Sequence, residues 1–313
     1  MEAAFASIIA AATPLVFAAV GETITERSGV VNLGVEGSLM LSAMTGFAVA
    51  VTTGSTLLGF VAAALVSMAA AGVVAFAGVR LGVSQIAVGF VLTILAIDLS
   101  DYLGAPFVGL AGPGVPSLSI PVLSEIPVLG PVLFSQNIVV YASYLLIVGA
   151  VLFLYSTRSG LALRGVGERP EAAFARGVHV TRSRILATIA GGALVGVAGA
   201  AFSLDVKLGW REGLTANFGW IALAIVIFGG WNPMRAAFGA YLFGVLQVVA
   251  LRLQPVLPGL SQVLPLLPFP LMILTLVLIN RPWLRRLTER NPALRFLVAG
   301  PAPSALGRPF HPD

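Results

Sequence analysis

The fold is decided by long apolar runs, of which the clearest is Thr56-Leu-Leu-Gly-Phe-Val-Ala-Ala-Ala-Leu-Val-Ser-Met-Ala-Ala-Ala-Gly-Val-Val-Ala-Phe-Ala-Gly-Val79. About 20 predominantly apolar residues cross the roughly 30 Å of hydrocarbon in a bilayer, so this run predicts a membrane-spanning helix. Eight further stretches qualify or nearly qualify, at about 3–20, 33–52, 83–103, 137–156, 185–204, 218–231, 236–253 and 262–280. The sequence therefore predicts an all-α polytopic membrane protein with about nine transmembrane helices.

Composition agrees with this class and argues against an enzyme. Of all residues 58% are hydrophobic and 10% are charged, and the mean hydropathy is +0.98, whereas soluble domains average about 25% charged residues. Cysteine is absent, which excludes disulfides, thiolate metal sites and cysteine nucleophiles. The single lysine, Lys207, lies in no Gly-x-x-x-x-Gly-Lys-Ser/Thr loop, and His179 and His311 are too few for a histidine-based site. We therefore expect no cofactor, no metal and no ATP hydrolysis by this chain.

The distribution of arginine predicts the orientation. Segments 157–184 and 281–308 carry six arginines each, whereas 104–136 carries neither lysine nor arginine. By the positive-inside rule the first two face the cytoplasm and the third faces outward. Alternating the spans places the N-terminus outside and the C-terminus in the cytoplasm. The net charge of +5 is thus an orientation signal and not a nucleic-acid signal, and the chain divides into a transmembrane part, 1–280, and a cytoplasmic tail, 281–313.

One arginine-rich segment, 157–184, contains a short helix whose ends are marked. Pro170 suits a first helical turn, because its missing N–H would have no helical partner there. Gly177 suits the position just past the end, where a positive φ is favoured. A helix shorter than two turns is marginal in water, so it needs a partner surface. A docking helix between two spans suits a transporter subunit that receives force from a motor protein.

Two polar stretches interrupt the apolar pattern. The first, 21–37, places Asn32 and Glu36 on one helix face among glycines. Irregular backbone inside a membrane persists only where protein or a water-filled cavity satisfies its polar groups. These two residues either join two helices at the cytoplasmic boundary or border a translocation path. Asp98 and Asp101, one turn apart near the outer end of the fourth span, allow a solvated rim or a substrate contact.

The second stretch, 209–220, concentrates aromatic and polar residues at the start of the short seventh span. Tryptophan at such a position commonly anchors a helix in the membrane interface. The alternative is a stacking surface at the entrance of a path, because aromatic faces bind flat ligands. Taken together, the two stretches predict a polar and aromatic passage bordered by Asn32, Glu36, Trp210, Asn217, Phe218 and Trp220.

Three motifs carry a resemblance to a known family, namely Arg27-Ser-Gly-Val-Val-Asn-Leu-Gly-Val-Glu-Gly37, Gly167-Glu-Arg-Pro-Glu-Ala-Ala…Gly177 and Gly219-Trp-Ile-Ala-Leu-Ala-Ile-Val-Ile-Phe-Gly-Gly-Trp-Asn-Pro233. They resemble the inner-membrane permease subunits of ABC importers for branched-chain amino acids and simple sugars, and the nucleoside-importing branch in particular. The resemblance covers roughly residues 14–281.

The resemblance implies a function and a set of partners. The short helix would be the coupling helix that docks on the ATPase, through Glu168, Pro170, Glu171, Ala172, Phe174, Arg176 and Gly177. The partners would be a second permease, a cytoplasmic ABC ATPase and an extracytoplasmic substrate-binding lipoprotein. Nucleosides are the expected solute, followed by simple sugars and then branched-chain amino acids. An ion-coupled secondary transporter is the alternative from another class, because such carriers also use broken helices and acids within the membrane.

Overall fold

The computed structural model describes residues 2–121, 123–127, 130–256 and 300–310, together with the single residues 270, 273, 274 and 277. Its α-helices are α1 (Glu2–Arg27), α2 (Val35–Thr53), α3 (Thr56–Ala75), α4 (Gln85–Gly104), α5 (Ile138–Ser156), α6 (Arg158–Glu168), α7 (Pro170–Ala175), α8 (Val180–Ala201), α9 (Phe218–Phe228) and α10 (Pro233–Leu253). Within the described part, seven helices are long and apolar enough to cross a membrane, and α9 is a shorter apolar helix. The chain is therefore a nearly all-α, multi-pass protein. The ninth predicted stretch, 262–280, and most of the tail lie outside the described residues.

Polar residues extend two of the spans beyond the apolar runs. Helix α1 continues to Arg27 because its last two turns satisfy their hydroxyl groups internally. The hydroxyl of Thr23, for example, donates to the carbonyl of Ala19 at 2.7 Å. Helix α8 likewise begins at Val180, five residues before the predicted start. The apolar runs alone therefore underestimate the length of both helices.

Helix α8 lies at the centre of the bundle, where it packs against α1, α2 and α3. The small residues of the run 191–199 make this possible, because they let helix backbones approach closely. A Cβ at Gly191 would lie 2.5 Å from the carbonyl oxygen of Gly21, and one at Gly196 would lie 2.4 Å from that of Ala63. Both distances are far below van der Waals contact, so only glycine permits these backbones to approach so closely.

The loop 104–136 contains a short two-stranded ribbon. Strands β1 (Ser117–Ser119) and β2 (Ser135–Asn137) pair in antiparallel register. The hydroxyl of Tyr141, at the start of α5, donates to the carbonyl of Leu118 at 2.7 Å and accepts the N–H of Gln136 at 3.1 Å. These two hydrogen bonds from Tyr141 stabilise the ribbon, which needs such support because a two-stranded ribbon is marginal by itself.

The arginine-rich segment forms two helices, α6 and α7, where the sequence predicted one. The hydroxyl of Thr157 accepts the N–H of Gly160 and so caps α6. Helix α7 begins at Pro170 as predicted, and it ends at Ala175 before Gly177, whose φ is +85°. The sequence therefore located the short helix correctly but missed its longer amphipathic neighbour.

Candidate functional site

The first helix break is the loop of residues 28–34, between α1 and α2. Its backbone is satisfied by side chains of α4: Gln85 accepts the N–H of Val31 at 2.9 Å, and the hydroxyl of Thr93 donates to the carbonyl of Leu33 at 2.9 Å. Asn32 is buried, and its side-chain oxygen accepts the N–H of Gly34 at 3.1 Å. Protein groups therefore satisfy the backbone of this loop, so its hydrogen bonds do not depend on water.

The second break is the non-helical segment 207–217, which leads from α8 to α9. Trp210 is buried so closely against the C-terminal end of α4 that a Cβ on Gly104 would lie 2.1 Å from its indole nitrogen. Further along, the hydroxyl of Thr215 lies 3.5 Å from the sulfur of Met40 in α2. The segment therefore runs inward along α2 and reaches the first turn of α9.

The two breaks meet at the carboxylate of Glu36, in the first turn of α2. Its oxygens accept the backbone N–H groups of Asn217 at 2.5 Å, Gly219 at 2.7 Å and Trp220 at 3.3 Å. First-turn N–H groups have no partner within their own helix, and a negative charge there is favoured by the helix dipole. Glu36 is only 4% exposed. It therefore joins α2 to the start of α9 as a buried cap supplied from another helix.

The position of this junction along the bundle follows from its neighbours. Gly37 lies against the backbone of Thr93, where an added Cβ would be 2.6 Å from the Cα atom. Thr93 is about 12 Å from the start of α4, at 1.5 Å per residue, and α4 has 20 residues. The Glu36 junction thus lies beside the middle of a membrane-spanning helix, which places it well inside the bundle.

A cavity of about 240 Å³ opens beside this junction, between α9 and α10. Of the six residues predicted to border a passage, Asn217 and Phe218 line the cavity, whereas Glu36 lies behind it. The aromatic ring of Phe218 also packs on Phe202, with centroids 4.6 Å apart. Trp210 is buried elsewhere in the packing, and Trp220 is half-buried. The structure therefore brings Asn32, Glu36, Asn217, Phe218 and Trp220 to the place where the two breaks meet, whereas Trp210, earlier in the second break, packs against α4.

Three polar residues of the cavity wall, Lys207, Gln247 and Gln254, were not among the sequence candidates. Gln247 and Gln254 are seven residues apart, which places them on one face of α10 and its C-terminal cap. That spacing was visible in the sequence, but a lone glutamine in an apolar run carries little weight. Partial burial, together with the nearby charge of Arg211, lowers the pKa of Lys207 below its usual range.

At the other end of α9, the turn into α10 is locked to α1. The indole N–H of Trp231 donates a short hydrogen bond to Glu26, and the guanidinium of Arg27 donates to the carbonyl of Trp231 at 2.7 Å. Glu22, one turn before Glu26, is fully buried. Buried acids inside a membrane bundle are costly, and the sequence analysis did not single these out. Asp98 is exposed at the opposite end of the bundle.

Helices α6 and α7 enclose a groove of about 550 Å³ with an apolar floor and a basic rim. Its lining includes Leu161, Ala162, Ala172, Ala173 and Val178, with Arg158, Arg169 and Arg176 at the edge. Phe174, on α7 next to this groove, is 46% exposed. Glu168 also lines the groove and faces Arg27 at 3.7 Å with 43% of its side chain exposed, and Glu171 on α7 is exposed as well. The groove has the composition of a protein-docking surface.

Comparison with known proteins gives consistent matches over most of the chain. The family model described as branched-chain amino acid transport system / permease component matches residues 4–276. A protein of Haloferax volcanii, provisionally named as a glucose ABC transporter permease, is 39% identical over 82% of this chain and 80% of its own length. A nucleoside ABC transporter permease of Lactococcus lactis is 31% identical over 87% and 90%, respectively. A guanosine ABC transporter permease of Bacillus subtilis is 32% identical over 85% and 88%. No solved structure matches the chain.

Proposed function

This chain belongs to the branched-chain amino acid transport permease family, and from that premise we propose that it forms, with a second permease, the membrane path of an ATP-driven importer of nucleosides. An ABC transporter permease of the sugar and nucleoside type is a transport component and not a catalyst. ATP hydrolysis therefore belongs to a separate ATPase subunit, and the solute is delivered by an extracytoplasmic binding lipoprotein.

The observation that carries the proposal is the cavity between α9 and α10. Its wall combines an aromatic ring, Phe218, with the amides of Asn217, Gln247 and Gln254. A nucleoside offers a flat base and a ring of hydroxyl groups, which suit aromatic and amide partners respectively. Helix breaks are where transport proteins place such sites, and this cavity lies directly beside one.

Simple sugars are the second candidate, because the relative from Haloferax volcanii is named for glucose and is more similar to this chain than the nucleoside relatives. Glucose would form hydrogen bonds with the same amides but would gain less binding free energy from the ring of Phe218. The two solutes can be separated in the native cells. We expect deletion of this chain to abolish uptake of labelled guanosine and to leave glucose uptake unchanged, and re-expression to restore guanosine uptake. Loss of glucose uptake alone would assign the chain to sugars.

The energy source also distinguishes this function from that of an ion-coupled carrier, because here a separate ATPase subunit drives transport. In the proposed mechanism, ATP binding closes the ATPase subunits, α7 moves with them, and the interface between the permeases opens to the other side. A solute shifts this equilibrium only if it binds the two states differently. Uptake by the purified chain alone in proteoliposomes, driven by a proton or sodium gradient, would instead support a carrier.

The groove between α6 and α7 suggests the chemistry of the docking partner. Three arginines at its rim favour an acidic border on the ATPase, and the apolar floor favours aliphatic side chains at its centre. Glu171 and Phe174, both exposed, would provide the remaining contacts. The docking surface is thus larger than the short helix that the sequence predicted.

The orientation can be tested with introduced cysteines, because the chain has none of its own. Ser119 in β1 and Ser159 in α6 are both exposed, and a Ser→Cys change alters little at either position. We expect an impermeant thiol reagent applied to intact cells to label Ser119→Cys and not Ser159→Cys, with both labelled after lysis. The reverse pattern in intact cells would overturn the proposed topology.

A further inference from the structure

The C-terminal residues 300–310, referred to here as the strap, lie across the end of the bundle that carries α6 and α7. Their first contact is with the end of α6. The N–H of Ala305 donates to the carbonyl of Gly167 at 2.9 Å. The N–H and the hydroxyl of Ser304 both donate to the carboxylate of Glu168, at 3.2 and 3.0 Å. Ala305 is 5% exposed, so this part of the strap is packed into the body of the protein.

The second contact is with the loop 28–34, which forms the first helix break. The N–H of Gly307 donates to the carbonyl of Gly29 at 2.9 Å. Gly29 has a φ of +92°, and a Cβ there would lie 3.2 Å from the carbonyl oxygen of Ala305. The guanidinium of Arg184, which is fully buried in α8, donates to the carbonyl of Arg308 at 2.8 Å. The strap is therefore fastened to the loop that leads to Glu36.

The third contact is with α7, the proposed coupling helix. The ring of Phe310 packs on that of Phe174, with centroids 5.7 Å apart and planes inclined by 57°. Such tilted pairs are favourable beyond the area that they bury. Helix α7 has six residues and is too short to be stable alone, so a ring that supports its exposed phenylalanine also determines where that phenylalanine is presented.

From these contacts we propose that the strap is a positioning element, which carries displacement of α7 to the loop 28–34 and so to the Glu36 junction. The proposal rests on the function proposed above. Energetic coupling between distant sites can be carried by a contiguous chain of packed side chains and hydrogen bonds. The strap joins Phe174 to Gly29 through four consecutive residues, from Phe310, whose ring packs on Phe174, back to Gly307, whose N–H donates to the carbonyl of Gly29. Phe310 acts through Phe174, and Ser304 acts through Glu168.

The test compares variants of the strap in the assembled importer, by measuring uptake together with basal and substrate-stimulated ATP hydrolysis. Phe310→Ala is expected to lower uptake and the stimulation of hydrolysis by about fivefold, the size expected for loss of one aromatic pair, with basal hydrolysis unchanged. Phe310→Tyr, which retains the ring, should restore both. Arg308→Ala is the matched control, because that residue contacts Arg184 only through its main-chain carbonyl. A chain that ends at residue 299 should lose uptake further while keeping its bound ATPase.

Each other outcome has a defined meaning. Uptake at the level of the unaltered chain in both Phe310→Ala and the shortened chain would overturn the proposal. Increased uptake would make the strap an inhibitory segment, and loss of the bound ATPase would make it a docking segment; either result contradicts transmission. If the shortened chain does not insert, Phe310→Ala decides alone. Failure of the proposed function is distinguishable, because the unaltered chain would then show no ATP-dependent uptake at all.

Discussion

Replacing Phe174 by aspartate is expected to abolish ATP-driven uptake while the protein stays inserted in the membrane. Phe174 is 46% exposed on α7, and among the described residues its ring packs on Phe310 and belongs to no buried core cluster. An aromatic anchor at the centre of an interface contributes about 2 kcal/mol or more, which corresponds to more than a tenfold change in affinity, at about 1.4 kcal/mol per factor of ten. A buried carboxylate at the same point adds an unpaired charge. Uptake and substrate-stimulated ATP hydrolysis of the assembled complex measure the effect.

Two controls separate docking from folding in this experiment. Phe174→Leu keeps an apolar side chain at the interface and should retain most of the uptake. Co-purification of the ATPase with Phe174→Asp should fall together with uptake, because both depend on the same contact. Unchanged substrate-stimulated hydrolysis in Phe174→Asp would show that α7 is not the coupling helix.

Replacing Glu36 by alanine is expected to destabilise the bundle and to stop transport. Three backbone N–H groups at the start of α9 would lose their acceptor in a buried place. An unsatisfied buried donor costs about 1–3 kcal/mol, so we expect a loss of about 2–5 kcal/mol in the free energy of unfolding, since relaxation recovers part of the sum. Thermal unfolding of the purified protein and uptake in cells measure the two effects.

The choice of variant distinguishes a structural from a transport role for Glu36. Glu36→Gln keeps one acceptor oxygen but turns an N–H₂ group toward backbone donors, so its stability should lie between those of the native protein and Glu36→Ala. Glu125→Ala removes an exposed acid in the outer loop and serves as the matched control. If Glu36→Gln is as stable and as active as the native protein, the carboxylate is required neither as a cap nor in the path.

Sequence reasoning located most helices because apolar length is a strong local signal. It placed the starts of α2, α4 and α5 within two residues, but it began α8 five residues late and ended α1 seven residues early. The errors share one cause. The missed turns carry threonine, glutamate or arginine, and several of these, among them Thr23, Arg27 and Arg184, make hydrogen bonds to main-chain carbonyls that hydropathy does not register. The same limit hid α6, which is amphipathic and rich in arginine.

The candidate site was predicted only in part, because local sequence patterns do not show which residues meet in the folded chain. Polar residues at Gly-rich breaks indicated that 21–37 and 209–220 belong together, and the structure joins them through Glu36 and Asn217. Trp210 looked equivalent to Trp220 in the sequence, yet it packs against Gly104 in α4. The cavity residue Gln247 was missed because one glutamine in an apolar helix has no local pattern to mark it.

By itself, the sequence determined that this protein spans a membrane many times, where its helices break, and that a short helix follows Pro170, because apolar length, glycine and proline act within a few residues. Only the tertiary structure decided which groups meet at the breaks. Glu36 and Asn217 are 181 residues apart in the chain, and Phe174 and Phe310 are joined only by folding. The sequence shows which side chains are polar. Which N–H group, carbonyl or ring each side chain contacts is decided by how the helices pack, at the short distances that glycine permits.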